Sequence, residues 1–337
     1  MKRMVWLAGL LAFMLPACAR AQAPPTPVKF ALDWVVIGTH LPYSAALASG
    51  FFKDNGLDVT IDRGYGSGDT ISKVGNRLYD FGYADANLVM KWNHDNPDQP
   101  VVLVYLTYDG GQSSITVRRS AATEPKQLQG RLIGAPPGDN TRLLFPVYAR
   151  AAGFDPAKVR WASAQPNIEN TMLFRGDVDG LASQEPSTML ALEKLGANTN
   201  DYIGLRYSVY LPELLGSGIV TNARMVAEHP DIVRAFVRAV IAGQKQVIAD
   251  PAKYAQTLKL LSPLADPEQE LRRYRMGMEM AMSRPELGRE GLGTVDAARL
   301  RKVAEDMSQA FAIPVPDDLQ KSLYDQRFLP PLADRQF

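Results

Sequence analysis

Asp33-Trp34 stands directly after an apolar run at residues 28–32. A Trp at a strand end can stack on a flat ligand while the neighbouring carboxylate accepts the ligand's N–H groups. The same pair also suits a core Trp beside a capping Asp. Gly64-Tyr65-Gly66-Ser67-Gly68-Asp69-Thr70 follows a strand-like stretch of alternating apolar and polar residues at 57–61 and opens a helix. Backbone N–H groups at a helix start lack intrahelical partners, and small residues let a ligand approach them. Ser67, Gly68, Asp69 and Thr70 are therefore candidate contacts; a plain turn capped by Ser67 or Asp69 is the competing reading. Pro136-Pro137-Gly138-Asp139-Asn140-Thr141-Arg142 repeats this logic in the second half of the chain. It adds Gly138, Asn140, Thr141 and Arg142, the last as a partner for an anion or as a solvated helix residue. Tyr83-Ala84-Asp85 ends another strand, the place where open α/β sheets bind ligands. Tyr83 and Tyr210 join Trp34 as rings that can stack on a flat solute. His40 is either a ligand contact or a structural histidine.

Catalytic constellations are missing from the pattern. The histidines are His40, His94 and His229, and no two have the HxxxH spacing of a zinc helix. No G-x-S-x-G elbow or phosphate-binding P-loop occurs, and the glycines at 64–68 do not have the dinucleotide spacing. The single cysteine is Cys18. No catalytic residue, metal ligand or cofactor is assigned, and a non-enzyme is expected.

The elements that must position these residues alternate. Strands are expected at 28–32, 57–61, 81–84, 101–106, 114–117, 132–135, 159–162, 178–181 and 219–221. Helices are expected from Pro42 to about Asp54, over 67–76 and over 140–152, with a nearly all-helical region from Asp231 onward. This pattern predicts an α/β fold. The chain has 337 residues, 46% apolar and 22% charged, with a net charge of +1. That is ordinary globular composition, with no electrostatic case for nucleic acid. Met1-Lys2-Arg3, the apolar run 5–15 and small residues before Ala23 read as a secretory leader over 1–23. Leu15-Pro16-Ala17-Cys18 resembles a lipoprotein cleavage site, so Cys18 is a candidate lipid anchor; cleavage at the Ala-x-Ala sites downstream would leave a soluble periplasmic chain.

The resemblance to one family rests on several of these motifs. Asp33-Trp34, His40, the stretch 43–48 and Gly50-Phe51-Phe52-Lys53-Asp54-Asn55-Gly56-Leu57-Asp58-Val59 resemble its N-terminal signature. Asp80-Phe81-Gly82-Tyr83-Ala84-Asp85, Val178-Asp179-Gly180-Leu181 with Glu185, and His229-Pro230-Asp231 extend the likeness to about residue 250. The family comprises substrate-binding proteins of ABC importers for sulfonates, taurine, nitrate and thiamine-precursor pyrimidines, together with the fungal enzyme that makes the thiamine pyrimidine. The resemblance implies a type II periplasmic-binding-protein fold: two lobes with a ligand cleft between them and a helical C-terminal tail. It implies lobe 1 over 24–112 and 217–337 and lobe 2 over 113–216, with crossings near Gly111-Gln112 and Gly216-Ser217. It places Trp34, 67–70 and Asp85 in the cleft, and lets Glu185 reach the ligand from the second lobe.

The function it implies is a monomeric receptor that delivers a small molecule to an ABC permease. A heteroaromatic vitamin precursor, a thiamine pyrimidine or riboflavin, is the preferred solute; a sulfonate, taurine, nitrate or an aromatic carboxylate is the alternative. The synthase-like enzyme is the alternative of another class. That branch carries a cysteine-rich metal stretch, and this chain has no cysteine after Cys18.

Overall fold

The computed structural model describes residues 24–166 and 168–337. The leader over 1–23, Cys18 included, lies outside the described residues. Among the described residues the strands are β1 (Thr26–Ala31), β2 (Leu57–Asp62), β3 (Phe81–Asp85), β4 (Val101–Leu106), β5 (Ser113–Arg118), β6 (Leu132–Gly134), β7 (Arg160–Ala162), β8 (Gly180–Gln184), β9 (Tyr202–Arg206) and β10 (Ser217–Asn222). They form two five-stranded sheets, ordered β2-β1-β3-β10-β4 and β7-β6-β8-β5-β9. Each sheet carries its own lobe. β1 pairs in parallel with β2 and β3, and β6 with β7 and β8. Helices between successive strands make these parallel pairings possible. β4, Val-Val-Leu-Val-Tyr-Leu, is buried at every residue, as a strand covered by helices on both faces requires.

The chain leaves the first sheet after Leu106, joins the second at Ser113, leaves it after Arg206 and returns at Ser217. The two re-entering strands, β5 and β10, run antiparallel to both of their neighbours. Arg299, on the helix Ala297–Phe311, ties the two crossings together. Its guanidinium donates to the carbonyls of Asp109 (2.7 Å), Glu213 (3.0 Å) and Leu214 (3.2 Å), and to the Asp109 carboxylate (2.8 Å).

Two expected helices are broken. The expected helix from Pro42 to Asp54 is Leu41–Ala48 followed by Phe51–Asp54, because Gly50 takes a left-handed φ of 77°. The expected helix over 140–152 is Asn140–Leu143 followed by Phe145–Ala151, where Pro146 has no N–H to carry the hydrogen-bond ladder through. β9 was not anticipated. Its mixed burial at the sheet edge gives no clean alternation to read.

The C-terminal region is helical. Pro230–Ala249 buries Val233, Phe236, Val237, Val240 and Ile241 along one face, the stripe that its 3.6-residue spacing predicts. Phe236 stacks on Phe81 with ring centroids 4.1 Å apart. No helix among the described residues is long and apolar enough to cross a membrane.

Candidate functional site

The carboxyl ends of strands from both sheets meet across one cleft. β1 delivers Asp33 and Trp34, and the helix after β2 delivers Ser67. From the other lobe, the turn after β6 supplies Asp139 and Asn140, the helix after β7 supplies Glu169, the end of β8 supplies Ser183 and Gln184, and the helix Glu185–Lys194 after it supplies Ser187. Ligands bind at such strand ends because parallel strands direct their following loops to one side. The cavity left in the cleft is about 30 Å³, enough for roughly one water.

The lobes touch at this cleft. The Gly68 N–H donates to the Gly138 carbonyl across it (3.1 Å). A Cβ on Gly66 would run into that same carbonyl, and Gly66 has a φ of 122°; only glycine fits both conditions. Asn140 Nδ2 donates to Asp85 Oδ2 (2.9 Å), a second bond between the lobes. The other Asp85 oxygen accepts from the Asn87 backbone N–H (3.0 Å) and side chain (2.7 Å). Burial pushes the Asp85 carboxyl up to about 6 against these hydrogen bonds.

Asp33 is held by His40. The Ile37 N–H donates to His40 Nδ1 (3.2 Å), so the ring proton sits on Nε2, which donates to Asp33 Oδ1 (3.0 Å). His40 is fully buried and orients Asp33 from beneath the cleft. The Gly64–Gly66 turn is pinned to the same segment, Gly66 N–H on the Asp33 carbonyl (2.6 Å) and Gly64 N–H on that of Trp34 (3.2 Å).

Three carboxyls face this space. Asp139 caps its helix by accepting the Arg142 N–H (3.0 Å), and burial with Asp33 opposite pushes it up to about 7. Glu169 is buried, at 5% exposure, and is driven well above the usual carboxylate range by desolvation and by Asp139. Gln184 Oε1 and Ser187 Oγ are buried with no hydrogen-bond partner. Among the described residues, no Lys or Arg lines the cleft.

The structure brings Asp33, Trp34, Ser67 and Asn140 together at the cleft, with His40, Gly68, Asp85 and Gly138 behind or between its walls. Other expected contacts lie elsewhere. Glu185 points away from the cleft: its carboxylate is gripped by Arg206 (2.6 and 2.9 Å) over the backbone of Gly204. Arg142 meets no anion; it donates to the Ala135 carbonyl (2.9 Å) and lies over the Trp161 ring. Tyr83 is buried among His40, Tyr43 and Tyr108 and offers no face to a solute. Tyr210 is on the surface, edge-on to Tyr148. Asp69 turns outward to Lys73 (2.6 Å). Thr70 bonds the Leu32 carbonyl (2.9 Å) in the core, and Thr141 bonds Ser113 (3.1 Å) behind the cleft. Asp139 and Glu169 were not singled out as contacts. Asp139 stood in a motif that was read correctly as a turn, whereas Glu169 follows a three-residue strand and has no sequence signal of its own.

Comparisons with known proteins agree with this architecture. The taurine-binding periplasmic protein of Escherichia coli (strain K12) is 26% identical over 166 residues, 49% of this chain and 51% of that protein. The chain thus spans about half the length of the curated relative it matches. A solved structure from Bordetella bronchiseptica RB50 superposes with a TM-score of 0.69 at 20% identity, covering 90% of this chain and 96% of that one. The alkanesulfonate-binding protein SsuA from Xanthomonas axonopodis pv. citri, bound to MOPS, superposes with a TM-score of 0.66 at 15% identity, covering 90% and 98%. These likenesses show the fold: two α/β lobes of the type II periplasmic-binding kind with a helical C-terminal region. The sequence model described as NMT1/THI5 like matches residues 38–254, more than half of the chain, and the protein belongs to that family.

Proposed function

We propose that the protein is an exported solute-binding protein. It captures a small molecule between its lobes outside the cytoplasm and hands it, in the closed form, to the permease of an ABC importer. The observation that carries this reading is the cleft itself, where strand ends of both sheets converge and two crossings allow the lobes to part and close. The names of the relatives support it: one binds taurine, another alkanesulfonates. The remaining 30 Å³ is too small for an organic solute, so entry requires the lobes to separate.

The preferred solute is a flat heterocycle rich in N–H groups, of the thiamine-pyrimidine type. Trp34 is half-buried at the cleft and can stack on such a ring, and Asp33 and Asp139 beside it can accept its N–H groups. A sulfonate is the second reading, favoured by the relatives' names.

A thermal-shift panel on the leaderless protein tests both. It would hold the aminopyrimidine precursor of thiamine, riboflavin, taurine, an alkyl sulfonate and nitrate. A ligand that binds only the folded state raises the melting temperature by mass action. A rise with the aminopyrimidine is expected. A rise with sulfonates alone would replace the preferred solute, and a flat response to the whole panel would count against solute capture.

A further inference from the structure

We infer that the cleft selects a solute carrying a cationic nitrogen, an ammonium or an amidinium, and that Glu169 is the residue that receives it. This rests on the reading of the inter-lobe cleft as the solute site. The inference begins with unmatched acceptors. Glu169, 5% exposed, lines the cleft, and burial with Asp139 nearby drives its carboxyl well above the usual carboxylate range. Gln184 Oε1 and Ser187 Oγ, on the same wall, are buried and without a partner. A buried acceptor left unmatched costs free energy, and a native structure tolerates several in one place where a ligand satisfies them.

Charge gives the sign. Asp33, Asp139 and Glu169 all line the space, and its described lining contains no Lys or Arg, so burial and mutual repulsion favour the protonated forms of Asp139 and Glu169 while the cleft is empty. Arg142, three residues after Asp139, is held by Ala135 and Trp161. Of the donors in the walls, the Asn140 amide is on Asp85 and the His40 Nε2–H is on Asp33. A sulfonate or nitrate would find no cationic side chain in the described lining and would oppose ionisation of the carboxyls it meets. A cationic nitrogen would donate to Glu169, Gln184 and Ser187 and take the place of the protons that the carboxyls release as it enters. Trp34 across the cleft adds a ring face, on which a flat cation stacks favourably.

Four probes of one shape separate the possibilities: benzamidinium, benzamide, benzoate and benzenesulfonate, titrated calorimetrically into the whole protein. Benzamidinium is expected to bind about tenfold or more tightly than benzamide, the scale of one charge-assisted hydrogen bond, and the two anions are expected to give no heat of binding. Glu169→Gln, which keeps the shape and removes the group that can ionise against a cation, is expected to lower benzamidinium affinity about tenfold while leaving benzamide within about threefold. Ser187→Ala, a smaller change, is expected to weaken benzamidinium about threefold. Tighter binding of either anion would overturn the cationic class while leaving solute capture intact. Benzamidinium binding untouched by Glu169→Gln would overturn the role of Glu169. Binding of none of the four would overturn the inference, and the thermal-shift panel would then decide separately whether the cleft takes any solute.

Discussion

Asp85 and Asp139 retain protons that the unfolded chain gives up. Their carboxyls stand at about 6 and about 7, raised chiefly by burial, against an ordinary aspartate value of about 3.9. Between the ordinary and the raised values the native state binds more protons than the unfolded state. Stability is therefore present at the acid end and is lost as pH rises through about 6 to 7. The ligand-free protein is expected to melt at a lower temperature at roughly pH 8 than at roughly pH 5. Asp139→Asn should flatten the upper part of that slope, since asparagine caps a helix as aspartate does but does not titrate. Melting curves across this range check it; an unchanged slope in the variant would mean that Asp139 is not the titrating group. At this scale the sequence was partly legible. Asp33-Trp34 could be placed because a motif and a strand end coincide. Glu185 could not, because its partner Arg206 lies 21 residues away on the edge strand β9. Tyr83 was misread because a strand end does not reveal which side chains turn toward the neighbouring helices, and its ring is packed among three others.

The two glycine-bearing turns show how elements meet. Gly66 and Gly68 of one lobe press on Gly138 of the other, with Gly68 N–H bonded to the Gly138 carbonyl. The alternation of strands and helices revealed both turns, because each follows a strand and precedes a helix. That they face one another across the cleft depends on the crossings, and no local pattern encodes that. Gly66→Ala is expected to block the closed arrangement, since its Cβ would strike the Gly138 carbonyl and alanine disfavours a φ of 122°. The lobes should still fold, because the contact lies between them. Solution scattering is expected to show no compaction of this variant on adding solute, with affinity down about tenfold or more. Wild-type compaction in Gly66→Ala would show that the turn does not govern closure.

At the scale of the whole molecule, the proposed capture of a solute depends on the crossings. The two sheets belong to separate lobes, joined where β4 leads to β5 and β9 to β10. Arg299 binds carbonyls of both crossings and holds them side by side, and the proposed parting of the lobes would pivot there. The fold class was readable from the order of elements alone, since strands alternating with helices and then a helical tail leave few architectures. The solute was not readable, because its chemistry is set by side chains from six separate elements that only the closed fold assembles.

Capture of a small molecule in this cleft is tested most directly by calorimetric titration of the leaderless protein with the aminopyrimidine precursor of thiamine, in parallel with Trp34→Ala. The account predicts one site per chain, with affinity about tenfold weaker in the variant, the scale of a lost aromatic stack, while the melting temperature of the ligand-free variant stays close to that of the wild type. Equal affinity in the two proteins would place the solute away from Trp34, and no heat of binding in either would contradict the aminopyrimidine as the molecule this cleft was built to hold.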